Sequence, residues 1–318
     1  MDVLEQVCAR ARARAGKIAS ETLGTPTVHD FCRYAVAVGD DDYLTAARAA
    51  AASGRAVLAP ALFVTGILGW GDGPPTQDLY PDGLGPADSP CTDGLPVTQM
   101  HGGQEVEITR RPAAGTTLRA DRVIEGAAVK QGQAGPFAVL RMATTFRDEH
   151  GEALATSRES ILVLPGAFQP AQPGRPAQTE PTAAGPVPTE PAPAEPAEPG
   201  PVGPISSWTP TQVQLFRFSA VSWNSHRIHY DQEFARESGF PAVVVQSALH
   251  GELLARAALT AAGDGARLRR IAWRNRQPAF AGQTLRYYAQ AAGSGLAVTA
   301  LDPHGHVCAS ADVGLSPP

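Results

Sequence analysis

Apolar residues recur at helical spacing in two stretches of this chain, each following a Thr-Pro-Thr triplet, and the triplets lie 184 positions apart. Val28, Phe31, Ala35 and Val38 follow Thr25-Pro26-Thr27, and Val213, Phe216 and Ala220 follow Thr209-Pro210-Thr211. Steps of three and four put such residues on one side of a helix. The Thr-Pro pair marks where each helix starts: threonine caps, and proline takes the first helical position, where its missing N–H costs nothing. Each helix leads into a polar loop and then a more apolar segment, AVLAPALFVTGILGW at 56–70 in the first half and the stretch from Ser247 in the second. These predict a buried helix in each half. Alternating runs follow, predicting strands. They are ITRRP, TTLRADRVI, FAVLRMATTF and ALATSRESILVL, then RRIAWRNRQPA, QTLRYYAQAA, LAVTALD and HVCASADVGL.

The matches continue beyond the helices. Asp40 and Asn224 share the offset of 184, Ser53-Gly54 meets Ser238-Gly239, and Pro60-Ala61-Leu62 meets Ser247-Ala248-Leu249 at 187. RRPAAGTTL (110–118) resembles RQPAFAGQTL (276–285), and Asp148-x-His150-Gly151 resembles Asp302-x-His304-Gly305. The offset shrinks to 154 because the first half carries a longer loop, GDGPPTQDLYPDGLGPADSP. The chain therefore reads as two fused copies of one α+β unit. Residues 165–204 separate them. Thirteen of these forty are proline and none is Leu, Ile, Tyr or Trp, a composition that blocks helix and cannot anchor a core. The expected organisation is a unit at 1–164, a tether at 165–205 and a unit at 206–318.

Composition narrows the function classes. Hydrophobic residues make up 43% and charged ones 18% of 318 residues, enough to bury real cores. A net charge of −5 argues against a nucleic-acid binder, which would want a basic face. Cys8, Cys32, Cys91 and Cys308 form no C-x-x-C pair, so a reducing, cytoplasmic setting is expected. No apolar run is long enough to span a bilayer. The first residues, MDVLEQVCARARARAGKIA, read as a solvated helix, since Asp2 and Glu5 argue against a transit peptide.

The densest polar cluster is WNSHRIHYD, Trp223 to Asp231. His226 and His229 suggest zinc through H-x-x-H, but no third ligand follows at sensible spacing and no metal is expected. Asp231 precedes a short helical run and reads as its cap. Arg227 is either structural or a contact for a substrate carboxylate or CoA phosphate. Arg274 and Arg276, two apart on a strand, face one side and read as a surface row or a phosphate contact. His250 and Glu252 are expected to flank a pocket or an interface, and Asp40 to cap a loop.

The order helix, polar loop, buried helix, curved sheet resembles a hot-dog domain. The second half resembles the MaoC-type hydratases and dehydratases, with S-W-N-S-H-R-I-H-Y-D-Q-E-F-A (222–235) followed by V-V-Q-S-A-L (244–249). The form F-R-F-S-A-V-S-W-N-S-H-R-I-H-Y-D is similar to the type 2 hydroxyacyl-thioester dehydratase branch, which includes mesaconyl-C4-CoA hydratases. Y-A-V-A-V-G-D and H-G-G-Q-E resemble the N-terminal domain of the same proteins. The resemblance implies a double hot-dog fold and reversible addition of water to an enoyl thioester, carried on CoA or an acyl carrier protein. A short dicarboxylic acyl group is the family-level favourite, and no cofactor is required.

Position by position, the resemblance makes His229 the acid–base residue and puts Asn224 where the family has an aspartate. An amide cannot take a proton, so Asn224 would orient the water. Ser247, in the place of a family glycine, would offer its N–H to the thioester oxyanion, with Gln246 beside it. Pro60 lies opposite Ser247 and Thr45 opposite His229, so one working pocket is expected, in the second half. The first half would serve as scaffold and substrate tunnel wall. A thioesterase and a non-catalytic acyl-binding protein remain alternatives, and a homodimer of the fused pair is left open.

Overall fold

The computed structural model describes residues 1–67, 71–85, 91–132, 135–166 and 203–316. Most of the proline-rich tether, residues 167–202, lies outside the described residues. The first half contains α1 (Val3–Arg14), β1 (Ile18–Gly24), α2 (Val28–Val38), α3 (Asp41–Ala52), α4 (Phe63–Gly66), β2 (Val97–Ile108), β3 (Leu118–Gly132), β4 (Gly135–Arg147) and β5 (Ala153–Pro165). The second contains β6 (Ser206–Trp208), α5 (Gln212–Ser222), α6 (Gln232–Glu237), α7 (Ser247–Ala262), β7 (Arg267–Asn275), β8 (Leu285–Ala292), β9 (Gly295–Leu301) and β10 (Val307–Ser316).

The ten strands form one antiparallel sheet in the order β1-β3-β4-β5-β2-β7-β10-β9-β8-β6. Counted outward from the central β2–β7 seam, both halves run in the same order, so the repeat read from the sequence is a repeat of topology. Its local chemistry repeats too. Thr25 and Thr117 hydroxyls meet at 2.9 Å, and Thr209 and Thr284 at 2.8 Å. Gly115 N–H donates to Pro26 O and Gly282 N–H to Pro210 O. The Asp148 carboxylate accepts from the N–H groups of His150 and Glu152, and Asp302 does so from His304 and His306. At the seam Gln104 pairs with Trp273 and Glu105 with Ala272, and Arg270 bonds Glu105 at 2.6 Å.

Several expectations need correction. The helix caps are Thr27 and Thr211, two residues later than read, each in a reciprocal box with Asp30 or Gln214. The prolines stand before the caps. On α2 the expected apolar stripe is the buried one, but on α5 it is inverted. Val213 and Phe216 are exposed, while Leu215 and Phe218 are fully buried and Ser219 and Ser222 nearly so. The first helix is not merely solvated: Leu4, Val7, Cys8 and Ala11 form one buried face on the sheet, against Ala138, Leu140, Ile161 and Val163. Strands β1, β2 and β6 were not anticipated: the expected strand ITRRP shares only Ile108 with β2, and residues 109–112 are not strand. The largest departure is the buried helix of the first half, which is one turn, α4. Proline, glycine and the β-branched pair Val64-Thr65 favour helix poorly, whereas SALHGELLARAALTAA in α7 is rich in Ala and Leu. Gly66 also lies under Tyr34, so close that a Cβ there would stand 2.0 Å from the phenol oxygen.

The main core lies under α7, between the two helix layers and the inner sheet face, and holds Trp273, Tyr34, Phe31, Phe63 and Phe218. Tyr34 donates to Glu252 across the halves at 2.6 Å. No helix among the described residues is long and apolar enough to cross a membrane.

Candidate active site

The segment after α5 is shaped by backbone bonds before any side chain is considered. Trp223 ends α5 in the left-handed region, at φ 59°, which turns the chain sharply. A single 3-10 turn, Arg227–His229, follows, and Val244 N–H donates to Ile228 O to hold it against the approach to α7. The long first-half loop clamps it from outside. Arg227 N–H donates to Asp82 O at 2.8 Å, and Gly83 packs so near Ser225 O that a Cβ would come within 2.1 Å.

His229 is 9% exposed and lines a cavity of about 710 Å³. Its Nδ1 lies 2.8 Å from Val244 O. A carbonyl only accepts, so Nδ1 carries the proton and Nε2 keeps its lone pair. Burial, with His226 beside it, pushes the imidazole down to about 3, against the pull of the Val244 carbonyl. His229 is therefore a neutral imidazole at pH 7, with its Nε2 lone pair unprotonated.

Asn224 also lines the cavity. Its Oδ1 accepts from His226 N–H at 3.1 Å, which leaves the amide N–H groups as its donors. The first-half counterpart Asp40 caps α3 by accepting from Tyr43 N–H, as expected for a leftover of the repeat. Ser247 opens α7, so the N–H groups of the first turn have no carbonyl within the helix to bond. Its hydroxyl accepts from Asn275 Nδ2 at 2.7 Å and Trp273 Nε1 at 3.3 Å, which fixes the helix start against the seam strand.

Two expected substrate contacts are given other work. Gln246 is 1% exposed and lines the cavity, but its Nε2 is spent on Leu215 O and Ser219 Oγ, tying α7 to α5. Arg227 does not line the cavity. Its guanidinium bonds Asp231 Oδ2 at 2.7 and 3.0 Å and Pro81 O at 3.0 Å, and lies 4.3 Å over Phe234. Asp231 caps α6, as expected, by accepting from Phe234 N–H. The pairing of Pro60 with Ser247 is also off by one. Ala59 N–H bonds Pro112 O as Val245 N–H bonds Ala279 O, so Pro60 is the counterpart of Gln246 and Ala61 that of Ser247.

Two further histidines line the same cavity: His250, expected to flank a pocket or an interface, and His226, given no acid–base or binding role by the sequence reading. His226 stands edge-to-face with His229, ring centroids 5.5 Å apart, and burial pushes it down to about 4. Its Nε2 is buried without a hydrogen-bond partner. His250, also pushed down to about 4 by burial, has Nδ1 in the same condition. The signal for His250 was its place three residues after Ser247, hence on the same helix face. His226 was read only as half of a metal pair.

Two sheet-and-helix units joined in one sheet, with a cavity lined by His101, His226, His229 and His250, make a double hot-dog protein. The chain belongs to the type 2 hydroxyacyl-thioester dehydratase family, whose profile matches residues 73–281, and is by that membership a hydro-lyase. It is 28% identical over 218 residues to the mesaconyl-C(4)-CoA hydratase of Chloroflexus aurantiacus, covering 68% of this chain and 70% of that one. Among solved structures it resembles a MaoC-like dehydratase with TM-score 0.66 at 22% identity, covering 96% of this chain and all of the other. A Mycobacterium tuberculosis protein with a double hotdog fold matches at TM-score 0.54 and 15% identity, over 94% of this chain and 95% of that one.

Proposed function

We propose that the protein hydrates an enoyl thioester, and dehydrates the matching 3-hydroxyacyl thioester, with His229 as the only proton carrier. The observation that carries this is the fixed tautomer: Nδ1 is bonded to Val244 O, and the Nε2 lone pair belongs to a residue lining the same cavity as the start of α7. Water is held by the Asn224 amide. His229 Nε2 takes one of its protons as hydroxide adds to C3. The electron pair of the double bond moves onto the thioester oxygen, where Ser247 N–H and the positive end of a sixteen-residue helix stabilise it. The imidazolium then returns the proton to C2, so one water is added and the base is regenerated.

Such a base need not be strong when free. Burial penalises an isolated imidazolium, but in the transition state its charge faces the developing enolate, and the pair is stabilised together. On this reading the unit at 206–318 works and the unit at 1–164 is a degenerate copy that walls the tunnel. The carrier is CoA or an acyl carrier protein. A short dicarboxylic acyl group such as the C4 thioester named for the Chloroflexus relative suits the family.

The test is to incubate pure protein with crotonyl-CoA and mesaconyl-C4-CoA and follow both double-bond absorbance and free thiol. Loss of absorbance without thiol release is expected, and His229→Ala is expected to abolish it in a folded protein. Thiol release would make the protein a thioesterase, and no change in either signal would make it an acyl-thioester binder.

A further inference from the structure

The two ladders beside the seam match residue for residue. Between β2 and β5 the register skips one residue at Gly102, and between β7 and β10 it skips one at Arg269. His101 therefore occupies the position of Leu268, and Gln104 that of Ile271. By the same registers Thr144 stands where the second half has Val298, Ser157 where it has Ala311, and Glu159 where it has Val313. All five second-half residues are buried apolar members of the main core. In the second half α7 covers this patch of sheet. In the first half α4 is a single turn and the patch is polar.

That polar patch is built, not incidental. Gln104 and Glu159 are each 7% exposed and Ser157 is fully buried. Gln104 Nε2 donates to Ser157 Oγ at 2.6 Å. His101 Nε2 lies 3.7 Å from Glu159 Oε2. The Thr144 hydroxyl is buried without a partner. Burying polar atoms here costs stability that the apolar set of the second half would not, so a role in recognition is the economical reason to keep them. His101, Gln104 and Glu159 line the same cavity as His229 and Asn224. Asn275 Nδ2 joins the two ends: it donates to His101 O at 3.1 Å and to Ser247 Oγ at 2.7 Å. The subsite thus begins beside the start of α7.

We infer that His101, Gln104 and Glu159 form a subsite that selects acyl groups carrying an oxygen substituent, a hydroxyl or a carboxylate, over plain alkyl chains. The inference rests on the thioester reading given above. His101 donates to the substituent oxygen. Glu159 accepts from a hydroxyl but does not bond a carboxylate, which His101 meets alone, so the two substituents separate on mutation of Glu159. An alkyl group would cover the buried Glu159 carboxylate without offering it a donor, which a hydrogen-bonding site penalises by on the order of tenfold to a hundredfold.

Crotonyl-CoA, 4-hydroxybut-2-enoyl-CoA and mesaconyl-C4-CoA should be compared by kcat/KM in the wild type and by calorimetric Kd in His229→Ala. One or both oxygenated substrates are expected to exceed crotonyl-CoA by that factor. Preference for the hydroxyl compound that is lost in Glu159→Val assigns the hydroxyl, and preference for mesaconyl-C4-CoA that survives in Glu159→Val assigns the carboxylate. The double variant His101→Leu/Glu159→Val, which installs the second-half residues, is expected to bring the ratio to crotonyl-CoA near one. If that variant does not fold, His101→Leu alone, at a half-exposed position, is expected to shrink the ratio. Equal or better use of crotonyl-CoA by the wild type, or a ratio left unchanged by the His101→Leu substitution, alone or in the double variant, would overturn the subsite. Turnover of none of the three, with an oxygenated preference kept in Kd, would sink the hydratase reading and leave the subsite standing.

Discussion

Lowering the pH probes His229 directly. An imidazole of ordinary pKa, near 6.5, is only about 10% neutral at pH 5.5. His229 is held down to about 3, first by burial and then by His226, and stays almost wholly neutral there. The low-substrate rate, kcat/KM, reports ionisation in the free enzyme. It is expected to stay level between pH 7 and 5.5, where an ordinary histidine base would lose roughly eightfold. Stability limits the window. The folded values of His226, His229 and His250 lie below the unfolded one, so the unfolded chain binds more protons below pH 6.5. Their contribution is present above pH 6.5 and is lost as the pH falls towards 3 or 4. At pH 5.5 each costs about 1 kcal/mol, and the buried Glu252, whose burial raises it to about 7, returns a similar amount. The fold should therefore survive at 5.5, which circular dichroism at each pH would check. A rate that bends with an apparent pKa between 6 and 7 in still-folded protein would refute the claim that a buried neutral His229 is the base.

Glu252→Gln keeps an acceptor for Tyr34 but removes a carboxylate that must ionise in the core above pH 7. Stability from the protonated carboxyl is lost as pH rises through its folded value, so by urea unfolding the variant is expected to gain roughly 2 kcal/mol over wild type at pH 8.5 and little at pH 5. In Gly251→Ala the new Cβ would lie 2.7 Å from the Trp273 ring, which is 2% exposed and cannot yield. A loss of about 1–3 kcal/mol is expected despite better helix propensity, together with a fall in kcat, because Trp273 holds Ser247. Arg227→Ala should lower the thermal midpoint by freeing the 79–84 loop while leaving the Kd of a CoA thioester within about twofold. A large loss of affinity would restore the substrate role that its bonds to Asp231 and Pro81 argue against.

Some of this architecture was legible because it rests on local chemistry. Thr25-Pro26-Thr27, Asp148-x-His150-Gly151 and their second-half partners are caps and turns, and these carry their physics in a few residues. The strands β3, β4 and β5 announced themselves by alternation, but the central β2 did not. By contrast, AVLAPALFVTGILGW is as apolar as the α7 stretch, and nothing in hydrophobicity says that one becomes sixteen residues of helix and the other a single turn. Phe216 fits a buried stripe by spacing, yet the partner that decides the matter, α2, belongs to the other half. Arg227 looked available because Pro81 is 146 residues away.

The polar positions make the same point from the other side. In the sequence His101 and Gln104 stand before the first strand read there, and Glu159 is one polar residue in ALATSRESILVL. Only the strand registers reveal that each replaces a core residue of the sister half, at the place where α7 has no counterpart. A shortened helix alone would leave a hydrophobic void that the chain could close by collapse. A shortened helix facing a polar wall keeps the space open for something that bonds to it. On the proposed reading the duplication divides the labour: the second half supplies the helix start and the histidine, and the first half, freed from packing a long helix, shapes what reaches them.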